Sequence, residues 1–569
     1  MENNSKSGAQ IICETLIDLN ILNIFGYIGG TIIPFYDALT KYPNLKHIMV
    51  RHEQAAAFAA QGYARASGQM SACVSCSGPG AMNLTTGIAD AMMDSVPLLA
   101  ITGQVNSKAI GTDAFQESDV IGVMLPITKA NKMNLNIDQL SLDIKNLASI
   151  ASSGRMGPVH IDIPKDIQSS KTIFNVEDVI PTYIEPKVEI DMSLVNQATH
   201  MVSSSQKPII LIGHGVILSG ANNEVKDLIS YLNIPFSSTI HGLSAIVDKY
   251  PIDHKLNLGM MGMHGTVAAN LAIKNADLII ALGMRFDDRV TGNLKTYAKD
   301  ANVIHVDIDN SEIDKNVLTN IGINGDLKEV VKLLTQNSNR VNNHNDWVDA
   351  CYEHQKEWEL IEHDFLQKGV GKNGKILMSY AIHTLSVITK GNDNIVSDVG
   401  QHQMFAARYY EHKRYNSWFC SGGSGTMGFA IPTSIGVQVA RPNERVWCIC
   451  GDGGFQMNSQ ELITISTNNL PIKIIILNNE YLGMVRQWQD LFHDGNHSST
   501  YLQNPDFQLL AKANNIQSAK VTDKDDLAQA IQIAADHNGP YLLEIMTDIE
   551  EFIYPMIASG ADISEIKIK

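Results

Sequence analysis

The chain is predicted to be an α/β protein made of three doubly wound parallel-sheet domains. Three observations carry that expectation. At 569 residues it is too long for one hydrophobic core, and ordinary domain sizes divide it into roughly three or four units. Short apolar runs alternate with helix-like segments rich in small residues, as they do where a parallel sheet is covered on both faces. This alternation occurs three times, with polar, Pro-containing or charged stretches between the sets.

The first set holds "NIFGYIGG", "KHIMV", "SACVSCSGPG", "VPLLAITGQ" and "PVHIDIP". The second holds "KPIILIGHG", "IPFSSTI", "ADLIIALGMRFDD" and "ANVIHVDID". The third holds "NDNIVSDVGQ", "ERVWCICGDGG", "LPIKIIILNNE" and "GPYLLEIM". Polar residues near 170 to 191 and a charged helical segment near 345 to 365 separate them, which sets domains at 1–175, 190–345 and 370–548 and a tail at 549–569. Glycines follow apolar runs at 26–30, 77–80, 213–215, 422–428 and 451–454. In open parallel sheets that is where backbone approaches a ligand phosphate, although a single such pair is ordinarily just a tight strand-to-helix turn.

Composition narrows the function. Against 60 Asp+Glu stand 43 Lys+Arg, a net charge of −17, and no basic block is interleaved with aromatics, so nucleic acid is not an expected partner. The seven cysteines are scattered and odd in number, unlike a disulfide framework. Cys73 and Cys76 form a C-x-x-C without a second pair at zinc spacing, and read as inert core thiols. The polar start "MENNSKSGAQ" lacks the features of a signal or transit peptide. No apolar run reaches the about 20 residues that span a bilayer. A cytoplasmic protein is expected.

The chemistry is concentrated in "GDGGFQMNSQELITISTNNLPIKIIILNN", 451 to 479. A strand leads into GDG, helix-like residues follow, and a second strand ends in Asn478 and Asn479. A right-handed crossover would set the two strand ends side by side, so that Asp452 and Asn479 meet. One carboxylate with one amide oxygen is an incomplete cage, which suits Mg²⁺ completed by phosphate oxygens. By itself the pattern is equally a strand turn and a capped turn. GDG at 451–453 followed by NN at 478–479 resembles the fingerprint of thiamine diphosphate enzymes that act on 2-keto acids. That resemblance implies Mg²⁺ held by Asp452, Asn479 and the backbone carbonyl of Tyr481. It also implies thiamine diphosphate contacts at Val399, Gly400, Gln401, His402, Gly425, Met427, Gly451, Gly453, Gly454 and Gly483, with Met427 supporting the bent cofactor. Such an enzyme needs a carboxylic acid beside the aminopyrimidine, and Glu53, opening the alanine-rich helix of "VRHEQAAAFAAQGYARASG", is the expected acid. A lone Glu in a first helical turn otherwise serves the helix dipole.

Further strings resemble one subgroup along nearly the whole chain: "VRHEQ", "ITGQV", "IGTDAFQE", "GPVHIDIPKDIQ", "LGMRFDDRVTGNL", "DVGQHQM", "GTMGF", "LNNEYLGMVRQWQDLF" and "YPMIASGA". They look like the catalytic subunit of biosynthetic acetohydroxyacid (acetolactate) synthases. The resemblance implies FAD in the middle domain, at Gly213, Gly215, Gly262, Met263, His264, Arg285, Asp307, Ile308 and Asp326. "IILIGHG" lacks the full G-x-G-x-x-G, so the residues themselves support that site only in part. The implied reaction decarboxylates pyruvate and passes the hydroxyethyl unit to pyruvate or 2-ketobutyrate. Glu53, Gln104, Lys129, Arg285, Met484 and Trp488 are expected at the catalytic site, Arg285 as a fork for a carboxylate and Trp488 as the wall of an apolar slot. Implied partners are a second copy, in a homodimer or homotetramer with sites at the subunit interface, and a small regulatory subunit. Asn106, Phe405 and Ala430 depart from the subgroup's pattern, and Asn106 puts sulfonylurea sensitivity in doubt. Competing readings are a FAD-independent catabolic acetolactate synthase, a thiamine and flavin 2-keto acid oxidase, an inactive scaffold and a glyoxylate carboligase. "RFDDRVTGNL" and "QWQ" argue against the first, and Glu53 against the last.

Overall fold

Each expected repeat forms a six-stranded, wholly parallel sheet. The computed structural model describes residues 5–185, 188–247, 253–338 and 344–568; the first residues of the polar start lie outside them. The first domain opens with β1 (Ser5–Ser7), followed by β2 (Asn23–Gly26), β3 (Lys46–Met49), β4 (Ser71–Ser75), β5 (Leu98–Gln104), β6 (Ala130–Met133), β7 (Pro158–Pro164) and β8 (Lys171–Ile173). Its sheet runs β3-β2-β4-β5-β7-β6, while β1 and β8 pair antiparallel beside it. The middle domain carries β9 (Pro208–Ile212), β10 (Phe236–Ser238), β11 (Asn257–Met260), β12 (Leu278–Leu282), β13 (Asn302–Asp307) and β14 (Ile321–Asn324), in the order β11-β10-β9-β12-β13-β14. The third carries β15 (Asn394–Ser397), β16 (Trp418–Phe419), β17 (Val446–Gly451), β18 (Lys473–Asn478), β19 (Gln517–Val521) and β20 (Tyr541–Met546), in the order β16-β15-β17-β18-β20-β19.

The outer two sheets therefore share one winding, and the middle sheet has another. Its order is that of dinucleotide-binding sheets, with the winding reversing between β9 and β12. Central strands such as β5 and β18 are buried at every position, which is why they read as unbroken apolar runs instead of alternating ones. Edge strands β6, β11, β14, β16 and β19 were absent from the sequence expectation. Three of them, β6, β11 and β19, are partly exposed; β16 is only Trp418–Phe419, too short for a run.

First and third domains share a core. The helix Glu53–Ser67 starts where the His52 side chain accepts from the Gln54 N–H, and ends at Gly68 in the left-handed region, φ 71°, as a capped helix should. It packs on the helix Ala430–Ala440, both nearly wholly buried. The alanines and glycines allow the backbones to touch: a Cβ on Gly62 would lie 2.1 Å from the Thr433 carbonyl oxygen. Phe58 meets Phe429 edge to face at 5.5 Å. The last segment then runs back to the middle domain, where the Ile557 N–H donates to the Met263 carbonyl at 2.8 Å.

Candidate active site

The crossover brings the two strand ends together. β17 pairs with β18 in the register Gly451 to Leu477, so Asp452 and Asn478–Asn479 emerge side by side at the carboxyl edge. The winding reverses between β15 and β17, which makes this the switch point where ligands of such sheets bind. Segments 398–403 and 479–483 close round it. A Cβ on Gly454 would meet Asp398 Oδ1 at 2.5 Å, one on Gly451 would meet His402 Nδ1 at 2.8 Å, and one on Gly483 would meet Gln401 Oε1 at 2.1 Å. Asn479 Nδ2 donates to Gln401 Oε1 at 3.4 Å, and the Tyr481 N–H to Asn479 Oδ1 at 3.2 Å.

The donor set fits a cation carrying a phosphate. Asp452 is 2 % exposed, and burial pushes its carboxyl up to about 6 against the hydrogen bond from Asn504, the behaviour of a carboxylate that lacks a positive partner. His402 is buried, held neutral by burial, and its Nε2 has no hydrogen-bond partner. An ion at Asp452 and Asn479 bearing a diphosphate would meet both needs.

Glu53 opens its helix just beyond the carboxyl end of β3 and is half-buried; its Oε2 accepts from Asn83 Nδ2 at 2.9 Å. The third domain secures the chain that precedes it. Buried Glu461 accepts the backbone N–H groups of Arg51 and His52 at 2.9 and 3.1 Å, which fixes where Glu53 begins.

A cavity of about 1150 Å³ joins the middle domain to the third, larger than the roughly 300–1,000 Å³ of ordinary small-molecule pockets. At one end lie Gly213, Gly215, Met263, His264, Asp307, Ile308 and Asp326; at the other lie Val399, Gly400, Gly425 and Met427, with Arg285, Met484 and Trp488 also on its wall. The middle sheet's switch point opens into it, and β9 and β12 come so close there that a Cβ on Gly213 would sit 2.0 Å from the Gly283 carbonyl oxygen. Buried His264 has an unpartnered Nδ1, and burial raises Asp307 to about 6. Polar groups short of partners in a long cavity at such a crevice fit a dinucleotide. Gly262 stands just off this wall, its N–H held by Asn270 Oδ1 at 2.9 Å, and Asp326 also caps the helix Leu327–Asn337.

Between the two ends the three domains share buried charges. Asp94 of the first domain accepts the N–H groups of Gly422 and Gly423 of the third at 3.1 and 2.8 Å, and lies 3.1 Å from Nε2 of His241 in the middle domain. Arg65 donates to the Cys420 carbonyl at 2.8 Å and lies 3.0 Å from His241 Nδ1. Burial would raise the Asp94 carboxyl, but His241 and Arg65 outweigh it and hold it below the usual carboxylate range. Neither Asp94 nor His241 carries a signal in the sequence.

Two expected residues are committed elsewhere. Gln104 donates to Asp162 Oδ2 at 2.9 Å and to the Ser118 carbonyl at 3.2 Å inside the first domain. Lys129 caps the last turn of the helix Leu140–Ser152 through the carbonyls of Ile150 and Ser153, a favourable place for a cation. Neither lines the cavity. All seven cysteines are buried free thiols, and among the described residues no group of three or more His, Cys, Asp or Glu forms a separate metal site.

Two outer sheets of one winding, glycine-lined at their switch points, around a dinucleotide-type middle domain define a thiamine diphosphate enzyme. Family models agree: the N-terminal TPP binding domain of thiamine pyrophosphate enzymes matches residues 6–123, the central domain 195–334 and the C-terminal TPP binding domain 398–545. The chain is 42% identical to the acetolactate synthase isozyme 2 large subunit of Escherichia coli (strain K12), over 98% of this chain and 99% of that one. It is 41% identical to the chloroplastic acetolactate synthase of Arabidopsis thaliana, over 99% and 84%, and 42% to a probable acetolactate synthase large subunit of Methanocaldococcus jannaschii, over 98% and 95%. The chain belongs to the acetolactate synthase large subunits of the thiamine pyrophosphate enzyme family.

Proposed function

We propose that this chain joins two 2-keto acids with loss of CO₂, taking pyruvate as donor and pyruvate or 2-ketobutyrate as acceptor to give 2-acetolactate or 2-aceto-2-hydroxybutyrate for branched-chain amino-acid synthesis. The observation that carries the reading is the single cavity on which Val399, Gly400 and Met427 meet Arg285, Met484 and Trp488. Bound there, thiamine diphosphate supplies the carbon nucleophile that takes up a 2-keto acid and the electron sink that lets CO₂ leave.

The chain's own residues do the rest. Asp452, Asn479 and the Tyr481 carbonyl would hold Mg²⁺ and, through it, the diphosphate. Glu53 would be the acid that holds a proton for the pyrimidine ring. Arg285 pairs with the acceptor carboxylate, and Trp488 lines the slot that receives the acceptor's alkyl group. The apolar wall keeps water out, which favours joining a second keto acid over simple protonation. The middle-domain end of the cavity takes FAD, which favours the biosynthetic enzyme over a FAD-independent one.

Two chains form the working unit, with Glu53 of one protomer facing the pyrimidine ring of a cofactor whose diphosphate the other protomer's clamp would hold. Supporting this, Tyr27, Ile28 and Met49, at the carboxyl ends of the adjacent strands β2 and β3, are exposed apolar residues, as is Phe115 by 88 %, and exposed apolar surface of this kind marks interaction sites. A small regulatory subunit is a further partner of this reading. Among the described residues no helix is long and apolar enough to cross a membrane, and the buried free thiols suit the cytoplasm.

The test incubates the purified chain with pyruvate, Mg²⁺ and thiamine diphosphate, with and without FAD. Acetolactate that requires FAD is expected. Acetaldehyde or hydrogen peroxide in its place would overturn the reading.

A further inference from the structure

We infer that Asn504 is a positioning residue that aims the carboxylate of Asp452 and ties it to the segment bearing Met484 and Trp488. The inference rests on the reading that Asp452 holds Mg²⁺. Asn504 Nδ2 donates to Asp452 Oδ2 at 2.7 Å and to Asn478 Oδ1 at 3.1 Å, so one amide spans both strand ends of the clamp. Its own oxygen accepts from Gln456 Nε2 at 2.9 Å, and the same Nε2 donates to the Asp452 carbonyl at 3.0 Å. Asn504 is thus held before it holds. With Oδ2 engaged by Asn504, the carboxylate loses its freedom to rotate and is presented to an oxygen-ligated cation in one orientation.

Asn504 reaches this place because its segment runs along the other side of the clamp. The Leu482 N–H donates to the Thr500 carbonyl and the Leu502 N–H to the Glu480 carbonyl, both at 2.8 Å. Tyr481 and Tyr501 form a bridge between them, with ring centroids 5.3 Å apart. The residues 500–504 therefore brace two of the three expected ligands, Asp452 by a side chain and Tyr481 by its backbone. The helix Gly483–Phe492, which carries Met484 and Trp488, starts one residue beyond Leu482. Filling the metal site and seating this helix are linked through the same few hydrogen bonds.

Partners that orient a metal ligand are worth about 10- to 100-fold in metal affinity. The test measures Mn²⁺ binding with thiamine diphosphate present, following free Mn²⁺ by electron paramagnetic resonance, on wild type, Asn504→Leu and Gln456→Leu. Expected are Mn²⁺ binding weaker by about 10-fold or more in Asn504→Leu, a smaller loss in Gln456→Leu, and in both a kcat that returns towards wild type at saturating Mg²⁺. Affinity within about twofold of wild type in a folded Asn504→Leu would overturn the inference, as would a kcat that excess Mg²⁺ does not raise. Should Asn504→Leu fail to fold, Gln456→Leu decides in the same terms. A wild-type chain that binds no Mn²⁺ beside thiamine diphosphate would instead bring down the assignment of Asp452 itself.

Discussion

Gly436 lies so tightly against Ala59 that a Cβ built on the glycine would sit 1.8 Å from the alanine's carbonyl oxygen. The two helices that join the first and third domains touch there backbone to backbone. Gly436→Ala gains about 1 kcal/mol of helix propensity, but its methyl must push two helices apart, and overpacking costs about 1–3 kcal/mol. The obstacle is backbone, so the clash wins. Denaturant unfolding should show a net loss of up to about 2 kcal/mol.

Glu53→Gln keeps shape and the Asn83 contact while removing the exchangeable proton. The variant should bind thiamine diphosphate and Mg²⁺ like wild type and lose about 10²- to 10⁴-fold in kcat, the usual scale of general acid–base catalysis. Cofactor titration beside steady-state kinetics separates the two effects. Full turnover would remove Glu53 from the proton relay.

Trp488→Leu opens the wall of the cavity that Arg285 also lines. A pocket reads one methylene at about 1–3 kcal/mol, so competition between 2-ketobutyrate and pyruvate should change by about 10-fold in the product ratio. An unchanged ratio would return Trp488 to a packing role with Phe492, whose ring lies 5.4 Å away.

Glu551 caps the remote helix Met378–Thr389, accepting from the N–H groups of Met378 and Ser379 and from the Ser379 hydroxyl. Burial raises its carboxyl from 4.5 to about 7. The folded protein then binds the proton more tightly than the unfolded chain. Its stabilising contribution is complete below pH 4.5 and lost as pH rises to about 7, on the order of 3 kcal/mol. Glu551→Gln, neutral at every pH, should flatten that part of the stability profile when melts at pH 5 and pH 8 are compared with wild type.

The three sheets were legible because their central strands are buried on both faces, and a run such as Lys473–Asn478 has no other use. Winding was not. β2, β9 and β15 each begin a parallel sheet with similar apolar residues, and only long-range packing decides that the middle sheet is ordered differently. The approach of Asp452 to Asn479 was legible because a crossover between adjacent parallel strands sets their ends together. Asn504 was hidden, since nothing in "LQNPDF" marks an amide that reaches a carboxylate 52 residues away. The contacts of Lys129 were hidden too, since nothing around it in the sequence marks the helix-end carbonyls of Ile150 and Ser153 that its ammonium meets.

The ionic knot of Arg65, Asp94 and His241 has a consequence for anyone hoping to dissect this protein. A fragment cut between the first and middle domains would part buried Asp94 from His241, and breaking such a pair costs about 3–5 kcal/mol, while a cut before the third domain would take away the Gly422 and Gly423 N–H groups that Asp94 accepts. The chain looks modular on paper, yet it should melt as a single cooperative body.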